Sequence, residues 1–312
     1  MSYQPSASFA IKEWDEDYLR HGEAAYPARL YQPDGDGPFP MILMVHGGAW
    51  NGGSRLGHEL ISRALASSGL VVASIDFRIA PEHPYPAQVQ DVHYASRWLK
   101  HRAAELRGDP DTVGVWGGSS GGHTALLCAL RPRDPRYSAL PLSGVGGAER
   151  SVERSREAAL SGGLGDGRQS EGDGSFRFVI SCWGVIDPWV RFLFAQTTPE
   201  AGAGYGGAEA KIRQTMNYFE NEAAIHEGNP QEILEREEAQ ALPPILIIQG
   251  TEDMNIPLTL PQRFAPAYRA AGGTVQVEWF PGQPHGFASN PSPDSTRAIE
   301  VMKAFIAQVV NA

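Results

Sequence analysis

Residues 116–122 are Trp116-Gly117-Gly118-Ser119-Ser120-Gly121-Gly122, and they join a short apolar run to a helical pattern of small residues. The stretch matches a G-x-S-x-G element, in which a serine occupies a strained turn between a strand and a helix. Glycines are needed there because only small residues let the backbone close around the turn. The N-terminus of the following helix directs its free N–H groups towards developing negative charge. The stretch therefore predicts a nucleophilic serine between a strand and a helix.

Two registers of the element fit the sequence. One centres the element on Ser119, and the other centres it on Ser120. We favour Ser119 as the nucleophile because its register follows the end of the strand directly. A Gly/Ser turn without any chemistry is the alternative interpretation, and the partner residues described below argue against it.

Short apolar runs recur on both sides of this turn, separated by helical patterns. Such runs are typical of strands buried on both faces of a parallel sheet. The predicted strands are Arg29–Gln32, Met41–Val45, Leu70–Ile75, Val113–Trp116, Phe178–Cys182, Ile245–Ile248 and Val275–Trp279. The predicted helices are Ala87–Leu106, Ser120–Leu130, Gln262–Ala271 and Ser295–Val310. The alternation predicts an α/β protein whose mostly parallel central sheet carries helices on both faces.

Three segments do not follow the alternation. Residues 2–25 mix polar residues with aromatic ones and are interpreted as a short cap or an arm. Residues 131–175 are rich in Gly, Ser, Arg and Glu, which favours a surface insertion. Residues 188–241 are long enough to form a lid, with a charged helix near Gln231–Ala239. We expect residues 1–312 to form a single domain with these additions.

A second glycine turn, His46-Gly47-Gly48-Ala49-Trp50, directly follows a predicted strand. Backbone N–H groups of such a turn can bind a tetrahedral oxyanion, together with the N–H of the residue after the nucleophile. The predicted donors are Gly47, Gly48 and Ser120. We expect a structural role for His46, whereas Trp50 is interpreted either as a wall of the substrate pocket or as a core residue.

Two further loops supply an acid and a base, each directly after its own strand. Asp253 follows the strand Ile245–Ile248, where an acid is well placed to orient an imidazole, and Glu252 is the alternative. His285 lies in a Pro/Gly-bounded loop after the last predicted strand. The chain order of nucleophile, acid and base is therefore Ser, Asp, His, which predicts a catalytic triad of Ser119, Asp253 and His285.

The composition excludes several classes of partner. A formal net charge of −10 argues against nucleic acid and against docking on an anionic membrane. Cys128 and Cys182 lie in apolar runs and are predicted to be buried thiols. The N-terminus lacks the pattern of a signal peptide and no apolar run could span a membrane, which together predict a cytoplasmic protein.

Other motifs are too weak to predict a cofactor. The stretch 202–207 matches G-x-G-x-x-G, but it follows no predicted strand. His58-Glu59 lacks the second histidine of a zinc motif, and no cluster of metal ligands is evident in the sequence. We therefore predict neither a metal nor a cofactor.

The motifs resemble those of the α/β-hydrolase superfamily, and specifically its hormone-sensitive-lipase-like esterases. The stretch Asp76–Ala87 is similar to that family's Y-R-L-A-P-E-x-x-F-P-A motif. This sequence departs from the family pattern at two positions. Gly118 replaces the acid that usually precedes the serine, and Ala49 replaces the third glycine of H-G-G-G. The form H-G-G-x-W also resembles arylformamidases and feruloyl-esterase-like hydrolases.

The resemblance implies a serine carboxylic-ester hydrolase that acts through an acyl-enzyme on a small or medium acyl or aryl ester. An arylformamidase or amide hydrolase with the same triad is one alternative. A non-catalytic small-molecule binding protein on a hydrolase scaffold is another. A homodimer is a further expectation, since twofold dimers are the commonest assemblies.

Overall fold

The computed structural model describes residues 2–142 and 173–312, and an eight-stranded sheet lies at the centre of this part of the chain. Its strands are β1 (Ile11–His21), β2 (Ala24–Pro33), β3 (Met41–Val45), β4 (Val71–Ile75), β5 (Gly114–Gly118), β6 (Val179–Cys182), β7 (Ile245–Gly250) and β8 (Val275–Phe280). Their order in the sheet is β1-β2-β4-β3-β5-β6-β7-β8. The strand β2 pairs antiparallel with β1 and β4, and every later pair is parallel. The predicted mostly parallel sheet is confirmed.

The N-terminal segment differs from its interpretation as a cap or an arm. It forms β1, which pairs with β2 along almost its full length. In β1 exposed charged residues alternate with more buried ones, as expected for an edge strand with one face against the protein. The polar residues of β1 mask the period-two pattern, so the sequence does not predict this strand.

Helices cover both faces of the sheet. They are α1 (Glu59–Ser67), α2 (Ala87–His101), α3 (Ser120–Leu130), α4 (Pro188–Thr197), α5 (Gly207–Phe219), α6 (Glu222–Glu227), α7 (Pro230–Glu235), α8 (Thr259–Ala270) and α9 (Pro293–Val310). Side chains of α2, α3 and α8 share one core cluster with the sheet, and side chains of α1 and α9 share another. Within the described residues, none of these helices is long and apolar enough to cross a membrane.

The predicted helix bounds need four corrections. Helix α2 ends at His101 rather than at Leu106, α8 begins at Thr259, and α9 begins at Pro293. The charged helix expected near Gln231–Ala239 is only the short α7. Helix α1 was not predicted.

The segment 188–241 contains the four helices α4 to α7, with residues 198–206 forming the connection between α4 and α5. A third core cluster ties it to the loops that follow the sheet strands, with Tyr218 and Phe219 of α5 packed against Trp50. Helix α5 therefore lies against the glycine turn after β3. The larger part of the insertion expected at residues 131–175 falls on 143–172, outside the described residues.

Candidate active site

The turn between β5 and α3 holds Ser119 in a backbone conformation that is rare for a residue with a side chain. Its φ is 55° and its ψ is −122°, and the strand ends one residue before it. A Cβ on Gly117 would lie 2.3 Å from the carbonyl oxygen of Gly121. Crowding by backbone therefore explains the glycines two residues before and after Ser119: Gly117 faces the backbone of Gly121, and Gly121 faces the backbone at the end of β3.

Ser119, His285 and Asp253 form one line of hydrogen bonds. The Oγ of Ser119 lies 3.0 Å from Nε2 of His285, and Nδ1 of His285 lies 2.8 Å from Oδ2 of Asp253. Because an ionised carboxylate only accepts hydrogen bonds, Nδ1 carries the proton and donates it to Asp253. Nε2 is then free to accept the serine proton. The structure thus brings together the three residues that are predicted from the sequence to form the triad.

The carboxylate of Asp253 is held by three donors besides His285. Its Oδ1 accepts hydrogen bonds from the backbone N–H groups of Asn255 and Ile256 at 2.8 and 2.9 Å. Its Oδ2 also accepts one from Nε2 of Gln249 at 2.9 Å. Glu252, the alternative acid, has an exposed side chain. The loop therefore directs Asp253, and not Glu252, towards the imidazole.

The glycine turn after β3 lies directly against the nucleophile. A Cβ on Gly47 would be 3.1 Å from Cβ of Ser119, and the φ of Gly48 is 128°. Within the described part of the chain, no turn or loop hydrogen bond uses the N–H of Gly47 or Gly48. The N–H of Ser120 has no partner in its own helix, because Ser120 is the first residue of α3. Donors of this kind can bind an oxyanion.

The side chain of His46 packs against the glycine turn and stabilises it. Its ring stacks on Phe77 at 4.1 Å between centroids, and Nδ1 lies 2.7 Å from the carbonyl oxygen of Gly47. Burial lowers the pKa of His46, so the ring is neutral near pH 7 and donates from Nδ1 to that oxygen. These contacts give His46 the structural position that the sequence predicted.

The side chain of Trp50 lies in a buried aromatic cluster. It stacks on Tyr218 at 5.1 Å and is only 1% exposed. Its Nε1 donates to Nδ1 of His123 at 3.2 Å, and Nε2 of His123 donates to the carbonyl oxygen of Gly228 at 2.7 Å. This is the core position that the sequence left open for Trp50.

Tyr205, which the sequence does not mark as a site residue, reaches the triad from the segment 188–241. Its hydroxyl donates to the carbonyl oxygen of His285 at 2.7 Å. Tyr205 lies within the G-x-G-x-x-G match at 202–207. The structure places that match in a turn between α4 and α5, so it lacks the strand and βαβ unit of a dinucleotide site. No feature of the sequence connects this stretch to His285.

A buried cation behind Asp253 was also missed. Arg191 of α4 is 1% exposed, and its Nη2 donates to Oδ1 of Asn255 at 3.0 Å. Lys211 of α5 is 4% exposed, and its ammonium group donates to the carbonyl oxygen of Tyr205 at 2.8 Å. Burial lowers the pKa of Lys211 to about 8.

Across residues 2–142 and 173–312, no group of three or more His, Cys, Asp or Glu side chains could hold a metal ion.

Comparison with known families matches residues 29–267 to the BD-FAE family. The chain belongs to the BD-FAE family. The match includes Ser119, Asp253 and both glycine turns, and it ends before His285. The resemblance to α/β-hydrolases of the hormone-sensitive-lipase-like type is confirmed, and members of this superfamily share the Ser, Asp, His order.

Two curated relatives illustrate the similarity of this chain to esterases. Esterase LipC of Mycobacterium tuberculosis is 30% identical over 255 residues, which are 80% of this chain and 53% of LipC. An arylesterase of Saccharolobus solfataricus is 37% identical over 109 residues, which are 35% of this chain and 36% of that enzyme. The chain spans about half or less of the length of these curated relatives.

Solved structures share the fold of this BD-FAE member. A hyperthermophilic esterase from Pyrobaculum calidifontis superposes with a TM-score of 0.71 at 21% identity, covering 97% of this chain and 87% of that one. The carboxylesterase EstE1 from a metagenomic library gives 0.69 at 23% identity, covering 97% and 90%. These similarities confirm the α/β-hydrolase fold.

Proposed function

We propose that the protein is a serine carboxylic-ester hydrolase with Ser119 as nucleophile, His285 as general base and Asp253 as the residue that orients the imidazole. The hydrogen-bonded line from Ser119 to Asp253 carries this proposal. A nucleophile, a base within 3.0 Å of it and an acid holding the base in the required tautomer are the parts that acyl transfer needs. The names of the esterase relatives support an ester as the substrate.

The reaction begins with attack of Ser119 Oγ on the ester carbonyl carbon, while Nε2 of His285 takes the hydroxyl proton. Negative charge develops on the carbonyl oxygen, and the N–H groups of Gly47, Gly48 and Ser120 stabilise it. The carbon–oxygen bond to the alcohol then breaks, and His285 gives its proton to the leaving oxygen. Water attacks the acyl-enzyme by the same route, releasing the acid and restoring Ser119.

Asp253 contributes orientation and charge. The carboxylate accepts the Nδ1 proton of His285 and so keeps Nε2 free to act as a base. The three further donors to Asp253 fix the plane of the carboxylate and, through it, the plane of the imidazole. A carboxylate held in this way also stabilises the imidazolium that forms in each step.

The segment 188–241 serves, in this proposal, as the lid that shapes the substrate site. Its helix α5 packs on the turn that carries the oxyanion donors, and its Tyr205 contacts His285. The substrate is a small molecule with a small or medium acyl group. Cytoplasmic location and assembly as a homodimer stay predictions.

The proposal is tested with p-nitrophenyl esters of increasing acyl length, a feruloyl ester and an aryl formamide. We expect ester hydrolysis by the native chain and a loss of at least about 10⁴-fold in kcat for Ser119→Ala, since the nucleophile is gone. Ser120→Ala discriminates between the two registers. It removes only an Oγ that accepts the N–H of Trp50, so most of the turnover is expected to remain.

Each alternative has its own outcome in this experiment. A preference for the formamide over every ester would contradict the proposed esterase activity. It would favour an arylformamidase, the activity suggested by the H-G-G-x-W form of the turn. Absence of turnover on all substrates by the native chain would contradict the enzymatic proposal and favour a binding protein. Full activity of Ser119→Ala would contradict the assignment of the nucleophile.

A further inference from the structure

Tyr205 combines contact with the catalytic imidazole and an exposed ring. We propose that it is a specificity-determining residue that receives the leaving alcohol of the ester and selects alcohols that carry an aromatic ring. This inference rests on the proposed ester hydrolysis and adds the class of leaving group.

Two contacts fix Tyr205 against His285. The phenol donates to the backbone carbonyl oxygen of His285 at 2.7 Å, and the two rings meet nearly perpendicular at 5.1 Å between centroids. Even so, 46% of Tyr205 is exposed, which makes it one of the few large exposed apolar side chains of the described residues. An aromatic ring packed on one side and open on the other is a ready surface for a second ring.

The loop that carries Tyr205 is built to hold the ring in this position. Its neighbours Gly204 and Gly206 have φ of 79° and 84°, a backbone conformation that glycine adopts without strain. The ammonium group of Lys211 donates to the carbonyl oxygen of Tyr205 and lies 5.5 Å from the centre of its ring. The side chain of Lys211 is buried, so this anchor is shielded from water.

The chemistry of the proposed reaction sets the position of the alcohol. Nε2 of His285 protonates the leaving oxygen, so that oxygen must come within hydrogen-bond distance of the imidazole. The group attached to the oxygen therefore lies beside the residues that surround the imidazole. Tyr205 packs on that imidazole with an open surface, which brings the alcohol portion into contact with its ring.

An aromatic alcohol is stabilised by this contact more than the burial of its apolar area alone would stabilise it. Aromatic pairs in offset or perpendicular arrangements are stabilised enough to change an equilibrium about twofold to tenfold. A saturated ring of the same size buries similar area without this term. The proposal therefore predicts a ratio of rates between matched aromatic and saturated alcohols, independent of the acyl group.

The experiment compares benzyl acetate with cyclohexylmethyl acetate. Both give the same acetyl-enzyme and have alcohols of similar size, so the ratio of their kcat/KM values reports the leaving-group site. We expect the native chain to prefer the benzyl ester, and Tyr205→Leu to lower that preference about twofold to tenfold. Tyr205→Phe should keep the preference, because it keeps the ring, while lowering turnover of both esters. An unchanged ratio in Tyr205→Leu would overturn the proposal.

Tyr26→Leu is the matched control. Tyr26 also packs edge-on against a histidine, His21, at 5.7 Å, but at the hairpin formed by β1 and β2. Its substitution should leave both esters unaffected. If the native chain melts cooperatively but hydrolyses neither ester, the proposed ester hydrolysis fails rather than the role of Tyr205.

A measurement on the native chain covers the case in which Tyr205→Leu does not fold. The acetyl-enzyme can be intercepted by an added alcohol in place of water, forming an acetate ester and regenerating Ser119. We expect benzyl alcohol to capture the acetyl group about twofold to tenfold more efficiently than cyclohexylmethanol. Equal capture of both alcohols would overturn the proposal without any variant.

Discussion

Gly121 leaves no room for a side chain against Val45. A Cβ on Gly121 would lie 2.1 Å from the carbonyl oxygen of Val45 and 2.5 Å from that of His46. The helix that follows Ser119 thus packs backbone to backbone on the end of the strand that leads into the glycine turn. One glycine therefore sets the distance between the proposed nucleophile and the proposed oxyanion donors.

Gly121→Ala is expected to lower kcat by about 10²-fold or more, because the helix must move away from β3 and misalign the oxyanion donors. The measurement is kcat on a p-nitrophenyl ester, together with the melting temperature. Gly52→Ala is the control, since a Cβ on Gly52 would meet nothing within 4 Å. Equal activity of the two variants would show that the close approach at Gly121 does not position the site.

Asp253→Asn is expected to lower kcat by about 10³–10⁴-fold with little change in KM. An amide in this place presents N–H donors either to the backbone N–H groups of Asn255 and Ile256 or to His285. The hydrogen bonds that hold the carboxylate cannot all survive. Steady-state kinetics check the prediction, and a loss confined to KM would contradict it.

Glu252→Gln is the matched control for that substitution. Glu252 is the adjacent acid, it is exposed, and its backbone N–H donates to the carbonyl oxygen of Gln283. We expect kinetics within about twofold of the native chain, in line with the small effects of most exposed surface substitutions. A loss as large as that of Asp253→Asn would exchange the roles of the two acids.

Much of the fold could be predicted because parallel strands that are buried on both faces are recognised in the sequence as apolar runs. β3, β5 and β7 are fully buried, and each was found within a residue or two of its bounds. The strand β1 was missed because one of its faces is exposed and charged. Local pattern predicts burial on both faces more reliably than burial on one.

The local parts of the site could be predicted, and its tertiary contacts could not. Ser119, Asp253 and His285 lie one, three and five residues after the ends of β5, β7 and β8, so the common edge of the sheet brings them together. Tyr205 and Arg191 reach the site from the segment 188–241, where no strand fixes their positions. Their roles depend on how that segment packs, which one sequence does not specify.

His123 is expected to make the protein less stable in acid. It is fully buried, and burial lowers its pKa from 6.5 to about 4, with the charge of Arg191 acting in the same direction. Above pH 6.5 the ring is neutral in both the folded and unfolded states. As the pH falls from 6.5 to 4, the unfolded state binds a proton that the folded state does not. The free energy of unfolding therefore decreases over this range, by about 3 kcal/mol.

Urea unfolding at pH 7 and pH 4.5 measures this effect. In His123→Gln, whose amide does not titrate, the decrease between the two pH values should be smaller than in the native chain by about 2–3 kcal/mol. His101→Gln, at an exposed position at the end of α2, should reproduce the native decrease. The same decrease in His123→Gln as in the native chain would show that protons bound at other groups govern the acid stability.

Arg191 is expected to act on turnover more than on stability. Within the described residues it forms no ion pair with a carboxylate, and its hydrogen bonds go to neutral oxygens of Asn255 and Thr215. Burial lowers the pKa of Arg191 to about 10 in spite of the nearby charge of Asp253, which shows that the buried guanidinium costs free energy. Arg191→Met should therefore leave the melting temperature unchanged or raise it. Asn255 then loses the donor that holds its side chain. Because the N–H of Asn255 binds Asp253, we expect kcat to fall by about tenfold.

Arg191→Lys separates this positioning role from a purely structural one. Lysine keeps a charge and a donor for Oδ1 of Asn255, so part of the lost kcat should return, although the buried charge and its cost in stability remain. The two variants together should therefore show stability and turnover moving in opposite directions. If kcat is the same in the native chain and in Arg191→Met, the guanidinium does not hold Asp253 in place, and the loop backbone and Gln249 position the acid without it.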